Sequence, residues 1–454
     1  MLWRLGIADA RARYARGETT PTEVLNSILQ RVAATNPTLN AFATLDVAGA
    51  SVAAAESDRR YERGESRGPL DGVVVTVKDN IAVAHLPCMW GTEVFRDFIP
   101  KVDETPVARL RQAGAVILGK TTVSEFSNGR GIVSTPLFGT TRNPWRPELT
   151  TGSSSGGAAA AVAAGLGAAA LATDGGGSIR IPASHCALFG LKPSVGQVAR
   201  AHGLPVIMGG REVIGPIGRS PVDLDLMMRV IAHPHEEDAA SWPMPGWPRD
   251  DLAAAPNPQR ILHLPIIGER AVAPMIEEAC DVVARNLRGL GHVVEPGEAP
   301  FDLNDVAAAK LVTKAGMAWL LRDREWRGRI HKYYESITDQ GNRLTAADYV
   351  EATAAMQRIQ ERVGILFKKY DLILSPVAPR LPGPADAAVD FDYTVFTAFA
   401  NIAGIPAIAI PAHLSSDGLP IGFQLCGRFG RDRDLLMIAN QYQRRYLADL
   451  WPPI

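Results

Sequence analysis

Two glycine- and serine-rich runs lie close together in this chain, TTGSSSGGAAAAVAAG from Thr150 to Gly165 and ATDGGGSIRIPA from Ala172 to Ala183. Residues this small let two stretches of backbone turn tightly and bring amide N–H groups close to a ligand. The first run carries Ser154, and the second ends its triple glycine with Ser178. A hydroxyl beside unpaired amide donors is what acyl transfer needs: a nucleophile and a place for the developing oxyanion. Upstream, Lys78 closes the apolar stretch GVVVTVKDN from Gly72 to Asn80. Burial disfavours an ammonium, and a neutral lysine is a competent general base. A lysine at a strand end also snorkels to solvent or pairs with a neighbour such as Asp79. The residues alone leave both readings open.

The chain has 454 residues, 46% of them hydrophobic and 21% charged, which suffices for a sizeable core in one large α/β domain or two ordinary ones. A net charge of −1 provides no electrostatic footprint for nucleic acid or an acidic membrane, and neither partner is expected. The N-terminal MLWRLGIADARARYARGE is charged throughout and lacks the apolar centre of a signal peptide. The weakly apolar stretch from Ala158 to Ala172 is too short to span a bilayer. Cys88, Cys186, Cys280 and Cys426 are far apart and form no CxxC pair, which suggests a reducing cytoplasm.

Local patterns predict the element order. Thr20-Pro21-Thr22-Glu23 is a capping box with proline at the first helical position, and Leu25, Ile28, Leu29 and Val32 continue a helix to about Thr35. Val73 to Val77 reads as a buried strand ending at Lys78. Thr105-Pro106 opens a helix that Gly114 stops, and Ala115 to Leu118 is the next strand. A small-residue helix follows from Gly156 to Ala164, with a strand near Ala168 to Ala172. The Pro- and Trp-rich text between Ala232 and Arg260 reads as an exposed excursion or linker, and Ile261 to Ile267 as a strand. Helical pattern dominates from Asp302 to Lys369. Strands return at Leu372 to Leu374, Ala407 to Ile410 and Ile421 to Leu425. Helices alternating with short apolar strands predict an α/β fold: one large domain with a mixed β-sheet core and helices on both faces.

Three motif matches fail on context. Gly114 to Thr121 fits GxxxxGK[ST], but its middle residues AVIL form a strand rather than a phosphate loop, and a helix comes before them. Gly152 to Gly156 fits GxSxG, yet TRNPWRPELT before it has two prolines and no apolar run, so the strand of a nucleophile elbow is not expected. His233-Pro234-His235-Glu236-Glu237-Asp238 lacks zinc-site spacing and reads as a solvated turn. No metal and no cofactor are expected.

Taken together, Lys78 and the two serine runs resemble the amidase signature family, the Ser–cisSer–Lys amidohydrolases. GTTRNPW (Gly139 to Trp145), SSGGAAAAVAAG (Ser154 to Gly165), TDGGGSIRIPASHCALFGLKPS (Thr173 to Ser194), YDLILSPVAP (Tyr370 to Pro379) and the segment from Ile402 to Arg428 resemble its motifs in order. The resemblance runs from about Thr20 to the last helix. It implies Ser178 as nucleophile, Ser154 as a bridging serine with a cis peptide bond, and Lys78 as base. The serine spacing, 178 − 154 = 24 residues, fits the family. By the same resemblance, Gly175, Gly176 and Gly177, with Ser178 itself, form the oxyanion hole. Asp174 and Arg180 match a structural pair flanking that loop. Asn128 and Ser155 match substrate-side positions, Ser155 also supporting the bridging serine. Ser153 departs from the usual glycine, and Thr122-Val123-Ser124 from the more frequent Asn-Met-Asp. The division implied is a helical segment over 1–60 packed on an amidase signature domain over 61–454, with a variable specificity region over about 204–370.

The activity implied is hydrolysis of a small-molecule carboxylic amide or related C–N acyl bond, with a homodimer left open. The alternative within the family is the glutaminase component of a tRNA-dependent amidotransferase, which has an acid just before the phrase matching VFTAFANIAG. Thr394 stands there, with Asp392 two residues earlier. A binding protein with a dead site is the third reading, set against three filled catalytic positions. Arg130 is a candidate for holding a carboxylate or for a solvated arginine, and Trp90, Trp319 and Phe396 for an aryl pocket or for core.

Overall fold

A computed structural model of the chain describes residues 1–250, 252, 256–268 and 272–454. Its centre is an eleven-stranded mixed sheet. The spatial order is Phe42–Leu45, Val116–Thr121, Val74–Lys78, Ala169–Asp174, Val213–Gly218, Phe189–Lys192, Ala407–Leu414, Pro420–Gly427, Leu372–Pro376, Arg260–His263 and Val293–Pro296. The predicted single α/β domain is therefore present, and the late strands complete the sheet that the early ones begin.

Alternation along each strand sorts side chains to two faces. Val75 and Val77, Leu171, Ile408 and Ile410, Leu372 and Leu374 share one core, beneath helices Thr105–Gln112, Pro221–Ile231, Pro274–Gly289 and Asp432–Tyr446. Their neighbours Val74, Ala170, Ala407, Ala409 and Ile373 point to cores on the opposite side. Helices Pro21–Leu39, Gly156–Ala163, Arg180–His185 and Ala346–Leu366 supply the cover there. Each fully buried Val, Leu or Ile contributes about 1.5–3 kcal/mol, so both faces anchor the sheet. Val74, Thr76 and Lys78 share a parity, which directs Lys78 toward the face of the small-residue helix.

Four expectations change. The first 60 residues are not purely helical, because Phe42–Leu45 pairs antiparallel with Val116–Thr121 and forms the sheet edge. The capped helix runs to Leu39, four residues past Thr35, until Asn40 takes the left-handed conformation (φ 51°) and ends it. A strand does precede the first serine loop: Arg146–Thr150 pairs with Arg142–Asn143 in a two-stranded ribbon outside the main sheet. Its two-residue turn is Pro144-Trp145, held by Trp145 N donating to Asn143 Oδ1 at 2.9 Å. The excursion after Ala232 is irregular but not wholly exposed. Met244 and Trp247 are buried, and the Trp247 indole donates to Asp225 at 2.8 Å. Part of this stretch, 251 and 253–255, lies outside the described residues.

Gly119 and Lys120 continue the strand Val116–Thr121, and Lys120 Nζ donates to the carbonyls of Asp79 and Pro87, which leaves no phosphate loop there. Among the described residues, no helix is long and apolar enough to cross a membrane, and no cluster of three or more His, Cys, Asp or Glu is arranged to hold a metal.

Candidate active site

Lys78 ends its strand fully buried, with Nζ donating to Ser154 Oγ at 2.7 Å, Thr173 Oγ1 at 2.7 Å and Thr173 O at 3.3 Å. It does not pair with Asp79. That carboxylate faces away, accepting from the amides of Met89 (3.4 Å) and Gly91 (3.3 Å), with Lys120 at 3.9 Å. Burial pushes Lys78 down from the ordinary ammonium range to about 7, against the pull of the charges on Glu212 and Asp174.

The Ser153–Ser154 peptide is cis. Ser155 then ties the two serine runs together, its N–H donating to Ser178 O at 3.2 Å and its hydroxyl to Thr173 O at 3.2 Å. Gly157, in the first turn of the helix that follows, is required by space, since a Cβ there would lie 2.2 Å from Thr122 Oγ1 and 2.6 Å from Thr122 N.

The triple-glycine loop is shaped from below by Asp174. Its carboxylate accepts from Gly177 N at 2.7 Å and Ile179 N at 3.1 Å, and pairs with Arg180 through Nε at 3.0 Å and Nη2 at 3.1 Å. Burial works against the Asp174 charge, but the Arg180 charge and hydrogen bonds outweigh it and hold the carboxyl far below the usual range. Arg180 also donates to Gln424 Oε1 at 2.9 Å and Asn401 Oδ1 at 2.6 Å. Gly177 has φ +129°, and a Cβ there would meet Thr397 Oγ1 at 2.3 Å. Removing the positive half of a fully buried pair leaves an uncompensated charge. Arg180→Met is therefore expected to lower stability by about 3–5 kcal/mol, measured by urea unfolding.

Ser178, Gly175, Gly176 and Gly177 line a cavity of about 530 Å³. The profile of the family described as Amidase matches residues 23–436. The chain belongs to the amidase signature family. A relative from Desulforapulum autotrophicum, one of the subunits of a glutamyl-tRNA(Gln) amidotransferase, is 33% identical over 98% of this chain and 98% of its own. Among solved structures, a chain of a vestigial protein complex bearing on the origins of an s-triazine catabolic enzyme superposes with TM-score 0.90 at 26% identity, covering 98% and 99% of the two chains. A bacterial aryl acylamidase of the amidase signature family gives 0.89 at 26%, covering 97% and 96%.

Within this amidase signature fold, several sequence-derived assignments shift. The Gly177 N–H is occupied by Asp174, so the loop amides without an acceptor among the described residues are those of Gly175, Gly176 and Ser178. Ser155 lies fully buried and off the cavity wall, where it braces the two serine loops, whereas Asn128 and Arg130 do line the cavity. Of the three residues read as aryl pocket or core, none lines it. Trp90 is core and donates to Ser127 Oγ, Trp319 is half exposed on the surface, and Phe396 is fully buried. The aromatic wall is instead Tyr333, Phe391 and Tyr393, the last donating to Gly129 O. Met208, Arg211, Lys310 and Lys314 also reach the cavity and were not singled out from sequence. The basic pair Lys310 and Lys314, one helical turn apart, was a readable signal.

Proposed function

We propose that this amidase signature enzyme hydrolyses a carboxylic amide through an acyl-enzyme on Ser178. One observation carries the reading: a buried lysine with no carboxylate contact among the described residues, lowered to about 7, sits 2.7 Å from the Ser154 hydroxyl. Neutral Lys78 takes a proton through Ser154 and makes Ser178 Oγ nucleophilic. Ser178 attacks the carbonyl carbon, and the amides of Gly175, Gly176 and Ser178 hold the oxyanion. The relay returns the proton to the departing nitrogen, which amide chemistry requires because unprotonated amide nitrogen leaves poorly. Water then takes the same path to release the acid. The variable stretch 204–370 supplies Met208, Arg211, Lys310 and Lys314 to the cavity, and we assign it the choice of substrate. The four cysteines are buried free thiols, which suits the cytoplasm.

A second reading is favoured by the relatives. If this chain worked as the amidotransferase subunits do, glutamine would be its amide, and partner subunits and a charged tRNA would replace the expectation of no nucleic-acid partner. Against it, Thr394 stands at the position of the family's acid, and the Asp392 carboxylate is already held by Lys310 at 3.1 Å and Thr394 Oγ1 at 2.7 Å. An assay of the purified chain separates the two. Hydrolysis of simple aliphatic or aryl monoamides by the chain alone, with glutamine turned over more slowly, supports the first reading. Glutaminase activity that appears only with partner subunits supports the second.

A further inference from the structure

Among the described residues, the cavity wall carries five charged side chains, Arg130, Arg211, Lys310, Lys314 and Asp392. The one carboxylate is spent on Lys310. Lys314 Nζ donates to the neutral Gln340 at 2.8 Å, and Arg130 has no carboxylate partner among the described residues.

Arg211 is the unusual member. It is only 5% exposed, and its guanidinium donates to Ala309 O at 3.1 Å and Thr313 Oγ1 at 2.7 Å, both neutral acceptors. Its Nε is buried with no partner, and no carboxylate among the described residues pairs with it. Burial lowers its pKa only to about 10, so it is charged near neutral pH. A buried charge without a counter-ion is costly, and folds avoid one unless something supplies the anion.

Arg211 also flanks the triple-glycine loop. Asn401 Nδ2 donates to Asp174 O at 2.8 Å and to Arg211 O at 3.5 Å, bridging the two backbones. Met208, whose carbonyl accepts from Arg211 N, packs its sulfur where a Cβ on Gly175 would stand, at 2.4 Å. The unpaired guanidinium and the nucleophile thus share one cavity.

We propose that the substrate is an amide bearing a carboxylate and no ammonium group, and that Arg211 binds that carboxylate. This rests on the amidase reading and adds the substrate class. A zwitterion such as glutamine would need a free acid on the wall, and among the described residues Asp392 is the one lining carboxylate, already neutralised.

The carboxylate belongs either to the acyl part or to the amine part, and matched pairs distinguish them. Glutaramate is compared with pentanamide, and N-butanoyl-β-alanine with N-propylbutanamide, using the full chain. At least one acid is expected to exceed its neutral partner by about tenfold or more in kcat/KM, the scale of a charge-assisted hydrogen bond. In Arg211→Gln that ratio is expected to fall toward one, and Arg211→Lys to restore part of it. Neutral partners turned over as well as both acids, or a ratio untouched by Arg211→Gln, overturn the proposal. If Arg211→Gln does not fold, the wild-type ratios and Arg211→Lys decide. If no amide is turned over, glutarate binding by calorimetry decides: tighter binding by wild type than by the Arg211 variants supports it, and equal binding overturns it. The amidase reading fails separately, when a fluorophosphonate does not label Ser178 and no amide is hydrolysed.

Discussion

Ser178→Ala is expected to lower amide turnover by at least about 10⁴-fold and to abolish labelling by a fluorophosphonate. Ser178 stands half-buried on the cavity wall, with the amides of Gly175, Gly176 and Ser178 itself unoccupied by any acceptor among the described residues. Alanine removes the attacking oxygen while leaving those donors and the loop beneath them in place. The thermal midpoint is therefore expected to match wild type, so the loss is one of chemistry. Intact-mass analysis of enzyme quenched during turnover checks the same claim from the other side. The acyl mass belongs on the peptide containing Ser178, and an adduct elsewhere would refute the assignment.

The second large effect concerns Lys78. Burial lowers its pKa to about 7, so the base form is scarce below that value and dominant above it. The kcat/KM profile is expected to rise about tenfold per unit on the acid side and to level off above about 7. Lys78→Ala is expected to lose about 10²–10⁴-fold and to flatten this limb, because the titrating group is gone. The two outcomes are linked. A variant that loses activity but keeps the same acid limb would place the titration on another group. An acidic optimum in the wild type would remove the lysine relay altogether.

Much of this molecule was readable before its structure, and the unread parts have specific causes. The strand ending at Lys78 is a plain β-branched run, and the helix after Thr20 announces itself by its capping box. The strand Val213–Gly218 is VIGPIG, whose Gly215 and Pro216 argue against a central strand. It exists because Gly215 lets a neighbouring strand come close: a Cβ there would lie 2.1 Å from Leu191 O. That reason is invisible without the partner strand. The catalytic candidates were legible because Ser154 and Ser178 sit in short, unusual runs. Of the rest of the cavity wall, Asn128 and Arg130 were legible but Arg211, Lys310 and Lys314 were not, since the fold brings these three to them from distant parts of the chain. Nor does the sequence reveal that Asp174 takes the Gly177 amide, which depends on how the loop folds over its own carboxylate.

The Arg180 side chain has a consequence for biogenesis. It joins the loop below Ser178 to Asn401 and Gln424, partners 221 and 244 residues further along. A nascent chain that has not yet released its final strands has no brace for that loop. Contacts of such long sequence separation form late and slowly. Hydrolytic competence would thus arrive only with the closing segments of translation, and appearance of activity in a coupled synthesis reaction would time the last step of assembly.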